Sequence, residues 1–165
     1  MKAVVVYESL WGNTAAVARA IAAGIGPDTA VLDTTAATGD AIAGADLIVA
    51  GAPVLGFRLP SEQMRNGLTM SERNAPKPPD LSHPSMRSWL QSIAPGHGRC
   101  AAFETRLRWT PGGATGAIER GLAGAGYPAV AKAGHFVVKG RYGPLRDGEL
   151  DRARQWGAQL AHAME

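Results

Sequence analysis

The sequence predicts an α/β protein built on one doubly wound, five-stranded parallel sheet with helices on both faces. Two observations carry that reading. Short apolar runs alternate with stretches of helical periodicity along most of the chain, and the runs are apolar throughout, as strands covered on both faces are. Length sets the scale. A chain of 165 residues suits a single domain spanning 1–165, large enough to bury roughly two-thirds of its unfolded surface.

Lys2 to Tyr7 reads as the first strand. Val17, Ala18, Ile21, Ala22 and Ile25 then recur at helical spacing, and Gly24, Gly26 and Pro27 are read as the stop. Thr29 to Asp33 is a short second strand and Thr38 to Gly44 a brief helix. Asp46 to Gly51 is a third strand, with Gly51-Ala52-Pro53 as its break. The stretch at about 59–85 carries Pro60, Pro76, Pro78, Pro79 and Pro84, which predicts a Pro-rich surface loop, irregular from Asn74 to Pro84. Arg87 to Ile93 restores a helix with Trp89, Leu90 and Ile93 inward. Arg99 to Phe103 is the fourth strand. A helix with Ala114, Ala117, Ile118, Gly121 and Leu122 on its inner face follows, closing at Gly124-Ala125-Gly126. Ala133 to Lys139 is the fifth strand and Gly140 to Gly148 a loop. Leu150, Ala153, Gly157, Leu160 and Ala161 mark a last helix with Asp147 as its cap.

Composition narrows the function classes. No apolar run reaches the 18 or so residues of a membrane span, and no secretory leader is legible at the start, so a cytoplasmic protein is expected. The single cysteine, Cys100, excludes an internal disulfide and falls in a strand, where inert packing is expected. A net charge of +3 is spread along the chain, and only three Tyr and three Phe are present, which argues against a nucleic-acid binder. The four histidines (His83, His97, His135, His162) lack metal-ligand spacing, and no Gly-x-Ser-x-Gly nucleophile elbow occurs. Trp89 and Trp156 occupy helical packing positions, whereas Trp11 and Trp109 fall in candidate binding loops.

Open parallel sheets bind ligands outside the carboxyl ends of their strands. Three connections leave from such ends. The first, Glu8 to Thr14, joins strand to helix: Ser9 and Thr14 bring hydroxyls, Gly12 brings an unshielded backbone, Asn13 is a candidate cap, and the helix start supplies unpaired N–H groups. On local chemistry alone a plain helix cap and a phosphate cradle are equally good readings. The second, Ala52-Pro53-Val54-Leu55-Gly56-Phe57, gives a turn whose backbone can face a flat ring. The third, Glu104 to Gly113, includes Thr105, Arg106, Trp109 and Gly112 and offers hydroxyls, backbone donors and an indole.

In the order of its elements and in Ser9-Leu10-Trp11-Gly12-Asn13-Thr14, the chain resembles the flavodoxin family, whose Thr/Ser-x-Thr-Gly-x-Thr loop wraps the phosphate of flavin mononucleotide (FMN). Ser9, Gly12 and Thr14 match that pattern, while Trp11 stands where the family has a hydroxyl residue. The resemblance implies a three-layer α/β/α sandwich with strand order 2-1-3-4-5 and FMN as cofactor. It assigns the phosphate to Ser9, Leu10, Trp11, Gly12, Asn13 and Thr14. The isoalloxazine ring falls to Ala52 to Phe57 and to the Glu104–Gly113 loop, with Leu55, Phe57 and Trp109 as ring contacts and Thr105 and Arg106 towards the pyrimidine edge. A positive Arg106 there is expected to raise the potential. Electron-carrying members are usually strongly acidic and this chain is mildly basic. The implied activity is electron transfer to a redox partner protein or reduction of a small acceptor such as a quinone. The alternative is a domain of the same fold that has lost flavin and acts as a binding or regulatory module. The Pro-rich segment is compatible with covering the flavin edge or meeting a partner.

Overall fold

The computed structural model describes residues 1–71 and 75–165, so Glu72, Arg73 and Asn74 of the expected irregular stretch lie outside the described residues. Five strands alternate with six helices among the described residues: β1 (Ala3–Tyr7), α1 (Asn13–Ile25), β2 (Ala30–Asp33), α2 (Gly39–Ile42), β3 (Leu47–Pro53), α3 (Glu62–Ser71), α4 (Met86–Ser92), β4 (Arg99–Leu107), α5 (Thr115–Gly124), β5 (Gly134–Val138) and α6 (Glu149–Ala163). The sheet has the order β2-β1-β3-β4-β5 and every pairing is parallel.

Strand side chains alternate between two cores. Val4, Val6, Ile48, Ala50 and Ala102 face α4 and α5, meeting Trp89, Ile118 and Leu122. Val5, Val49, Ala101, Phe103 and Phe136 face α1 and α6, meeting Val17, Ile21, Ala153 and Leu160. The result is a three-layer sandwich. Each fully buried Val, Ile, Leu or Phe contributes about 1.5–3 kcal/mol, so this double burial dominates what holds the layers together. Cys100 is fully buried in β4, where desolvation pushes its thiol up to about 11 and leaves it inert at neutral pH.

Several boundaries differ from the sequence expectation, each for a physical reason. Helix α3 occupies 62–71, inside the stretch read as loop. Pro60 precedes it and Pro76 follows it, so no proline interrupts the turns themselves. Its anchor is also unusual. Beside Leu68 it buries Arg65, whose guanidinium lies 3.3 Å from the buried Glu8 carboxylate, so hydropathy alone understates the packing. β3 runs through Gly51-Ala52 to Pro53, because Pro53 sits at the strand's end, where a missing donor is tolerated. β4 continues to Leu107, paired with both β3 and β5, so residues 104–107 of the presumed loop are strand. Asp147 does not cap α6: Gly148 is the N-cap, and Asp147 pairs with Lys139 at 3.4 Å. Among the described residues no helix is long and apolar enough to cross a membrane.

Candidate functional site at the carboxyl edge of the sheet

The loop from Glu8 to Gly12 leaves β1 and turns into α1 through Gly12, whose φ of 96° would strain any residue with a Cβ. Asn13 is the first helical residue and does not cap. The capping falls to Ser9, whose Oγ accepts the amides of Gly12 (3.1 Å) and Ala15 (3.3 Å). With both lone pairs so used, the Ser9 hydroxyl proton is left to donate to an incoming group. Asn13 and Thr14 open α1, so their amides have no intrahelical acceptor and carry the positive end of the helix dipole. Thr14 Oγ1 lies 2.8 Å from Thr105 Oγ1, both buried. One hydroxyl of the pair donates to the other, so the second keeps a proton to give elsewhere. Thr105 therefore joins the first loop through its hydroxyl.

A narrow cleft runs outward from this cradle. Ser9, Leu10, Trp11, Asn13 and Thr14 form one side; Pro53, Val54 and Leu55 another; Thr105, Arg106, Leu107, Val138 and Arg141 complete it. Leu107 and Val138 also line an open groove of about 650 Å³ with Phe57, Trp109 and Pro111. The two most exposed aromatics, Phe57 (60% exposed) and Trp109 (85%), thus sit together on one apolar surface beside the cleft. Arg108 stacks on Trp109, its guanidinium carbon 5.0 Å from the ring centroid.

Other expected members lie elsewhere. Ala52 is fully buried in the core facing α4 and α5 and offers no surface to the cleft. Gly56 and Phe57 both adopt positive φ in a tight turn, and Gly56 packs on Met64. Glu104 alternates to the opposite face of β4 from Thr105. Fully buried there, it is met by Arg106 (3.4 Å), His135 (3.0 Å) and the Thr115 hydroxyl (3.5 Å). Arg106 Nη1 also donates to the carbonyl of Gly112 (2.9 Å) and Nη2 to that of Thr110. Arg106 still lines the cleft, but its guanidinium is engaged by Glu104 and by the turn. Gly112 serves that turn: a Cβ there would meet the Phe57 carbonyl at 2.1 Å.

Residues that sequence reasoning missed come from two segments. Val138 and Arg141 follow from β5, whose exit loop leaves the same edge as the other three; the rule that singled out those loops applied to it too. The Pro-rich segment lies along the outside of the first loop. Asp80 N donates to Leu10 O (2.8 Å), Trp11 Nε1 to Lys77 O (3.3 Å), and Ser9 N to His83 Nε2 (3.3 Å). An imidazole that accepts at Nε2 is neutral, and burial lowers the His83 pKa in agreement. Lys77 Nζ lies 3.8 Å from where a Cβ of Gly12 would stand, which brings a cation beside the cradle. Trp11 packs edge-on to Tyr142, with centroids 5.0 Å apart, and so braces the cradle against the β5 exit loop.

No protein-family model matches the sequence, and no curated protein does. Solved structures do match. An archaeal flavodoxin superposes with a TM-score of 0.68 at 23% identity, covering 99% of each chain. Oxidised flavodoxin 1 from Bacillus cereus gives 0.65 at 20% identity over 98% of each. The flavodiiron protein from Giardia intestinalis gives 0.62 at 18% identity, covering 99% of this chain and 36% of its own. With the strand order, these likenesses establish a flavodoxin-like fold.

Proposed function

We propose that this flavodoxin-like chain binds FMN at the carboxyl edge of its sheet and passes electrons to a redox partner protein or to a small acceptor such as a quinone. One observation carries the reading: a cradle of hydroxyls with spare protons and unpaired helix-start amides opens directly into an apolar cleft. The cradle suits a phosphate dianion, because Ser9, the Thr14–Thr105 pair and the amides of Asn13 and Thr14 are all donors, with the Lys77 ammonium beside them. The apolar walls suit a flat ring: Pro53, Val54 and Leu55 from β3 and its exit, and Leu107 and Val138 from β4 and β5.

Bound FMN would supply the electron-accepting chemistry, and the chain would supply position, exclusion of water and electrostatics. Phe57 and Trp109, exposed beside the cleft, are the surfaces a ring edge or an arriving acceptor would meet first. Arg106, neutralised by Glu104, contributes little field at the ring.

The test is a titration of the purified chain with FMN, followed by flavin fluorescence. Saturable quenching is expected. Thr14→Glu, which sets a carboxylate against the phosphate, is expected to abolish it. A chain that leaves FMN fluorescence unchanged at large excess overturns the reading and favours a flavin-free binding module.

A further inference from the structure

Four of the chain's thirteen arginines meet at one further concavity. A second cleft, of about 420 Å³, is lined by Arg58, Arg87, Arg106 and Arg120, by His135, and by the start of α5 at Thr115 and Gly116. Among the described residues Glu104 is the one carboxylate in its lining, so four arginines and one glutamate of that lining sum to +3 (4 − 1). Arg106 neutralises Glu104. Arg87 uses Nε on the Leu59 carbonyl at 2.9 Å, which fixes the guanidinium without cancelling its charge. Among the described residues, no acceptor or carboxylate is within reach of Arg58 or Arg120. Arg120 folds back over the first turn of its own helix, its Nη1 3.3 Å from where a Cβ of Gly116 would stand. That first turn has no side-chain cap and no acidic residue.

Holding the guanidinium groups of Arg58, Arg87 and Arg120 around one concavity costs self-repulsion, and unpaired helix-start amides add to the positive potential; an anion filling the space relieves both. The cleft is separate from the cradle. The Phe57–Arg58 turn is tied to Gly112–Gly113 by Gly113 N donating to Phe57 O at 3.0 Å. Among the described residues Arg106 alone lines both clefts.

We propose that this cleft is a second binding site, for a small molecule bearing two or more phosphate or carboxylate charges, held by Arg58, Arg87, Arg120 and the first-turn amides of α5. Its position beside the groove of Phe57 and Trp109 makes it the anchor for the charged end of an acceptor. The site itself does not depend on flavin binding.

The experiment is an amide NMR titration of the full chain with pyrophosphate at constant ionic strength. Saturable shifts are expected at Gly113, Thr115, Gly116 and Ala117. In Arg58→Gln and in Arg120→Gln, both at exposed positions, the affinity read from those amides should fall about tenfold, as removal of one charge-assisted contact does. Shifts at Gly12, Asn13 and Thr14 in the same spectra report the cradle and serve as the internal comparison. Saturation confined to the cradle amides overturns the second site, and so does unchanged affinity at the α5 amides in both variants. Citrate in place of pyrophosphate separates carboxylate from phosphate preference. A failed FMN titration leaves this result standing, because it reads different amides.

Discussion

Glu8 stands immediately before the cradle and has no exposed surface. Its amide donates to Gly51 O, its Oε1 accepts the Met86 amide at 2.8 Å, and its Oε2 lies 3.3 Å from Arg65 Nε. Through its main chain Glu8 holds β3, and through its carboxyl it holds α3 and the start of α4, all behind the loop. Burial pushes it up to about 7, against the pull of the Met86 amide and Arg65. The sign follows from linkage. Between about 4.5, its value in the unfolded chain, and about 7, the folded state holds a proton that the unfolded state has released. The contribution of Glu8 to stability is therefore full below about 4.5 and lost as pH rises through 7, on the order of 3 kcal/mol across the window. Glu8→Gln should flatten the decline of unfolding free energy between pH 5 and 8, measured by denaturant titration at each pH. Parallel profiles for the two proteins would show that Glu8 stays ionised when folded.

Among the described residues helices α1 and α6 share the most extensive contact between elements, and glycine permits their close approach. A Cβ on Gly157 would meet the Ile21 carbonyl at 2.1 Å, and one on Gly24 the Arg154 carbonyl at 1.9 Å. Gly24 reads in the sequence as a helix stop, yet α1 continues through it to Ile25, because its residue type answers to the neighbouring helix and not to its own termination. Gly157→Ala gains up to about 1 kcal/mol of helix propensity but drives a methyl into backbone, where overpacking costs about 1–3 kcal/mol. A net loss of about 1–2 kcal/mol in urea unfolding is expected. A stabilised variant would mean that the two helices separate freely. The same contrast explains what was legible. Existence and order of the elements follow from periodicity, which each segment carries in itself. Their ends at Pro53 and Leu107 depend on pairing partners, and α3 depends on a buried ion pair with Glu8, which lies far away in sequence.

At the scale of the whole molecule, the candidate cradle was legible because Ser9, Gly12 and Thr14 fall within one run of six residues. The cleft beyond it was legible only in part, because its walls come from four strand exits brought together by the sheet. Thr105 is a case in point: its hydroxyl meets Thr14 across 91 positions of sequence. Such a site exists only in the folded chain, so its ligand must stabilise the fold by linkage. At FMN a hundredfold above its dissociation constant the gain is about 2.7 kcal/mol, which for a domain of this size raises the melting temperature by roughly 5–10 °C. Calorimetry with and without FMN measures it directly. Riboflavin, which keeps the ring and lacks the phosphate, should give a clearly smaller shift, because the hydroxyl pair, Ser9 and the α1 amides then have no anion to hold. Equal shifts for the two would place the affinity in the apolar walls alone and count against the cradle. No shift with either, at millimolar ligand, would remove flavin from the carboxyl edge altogether.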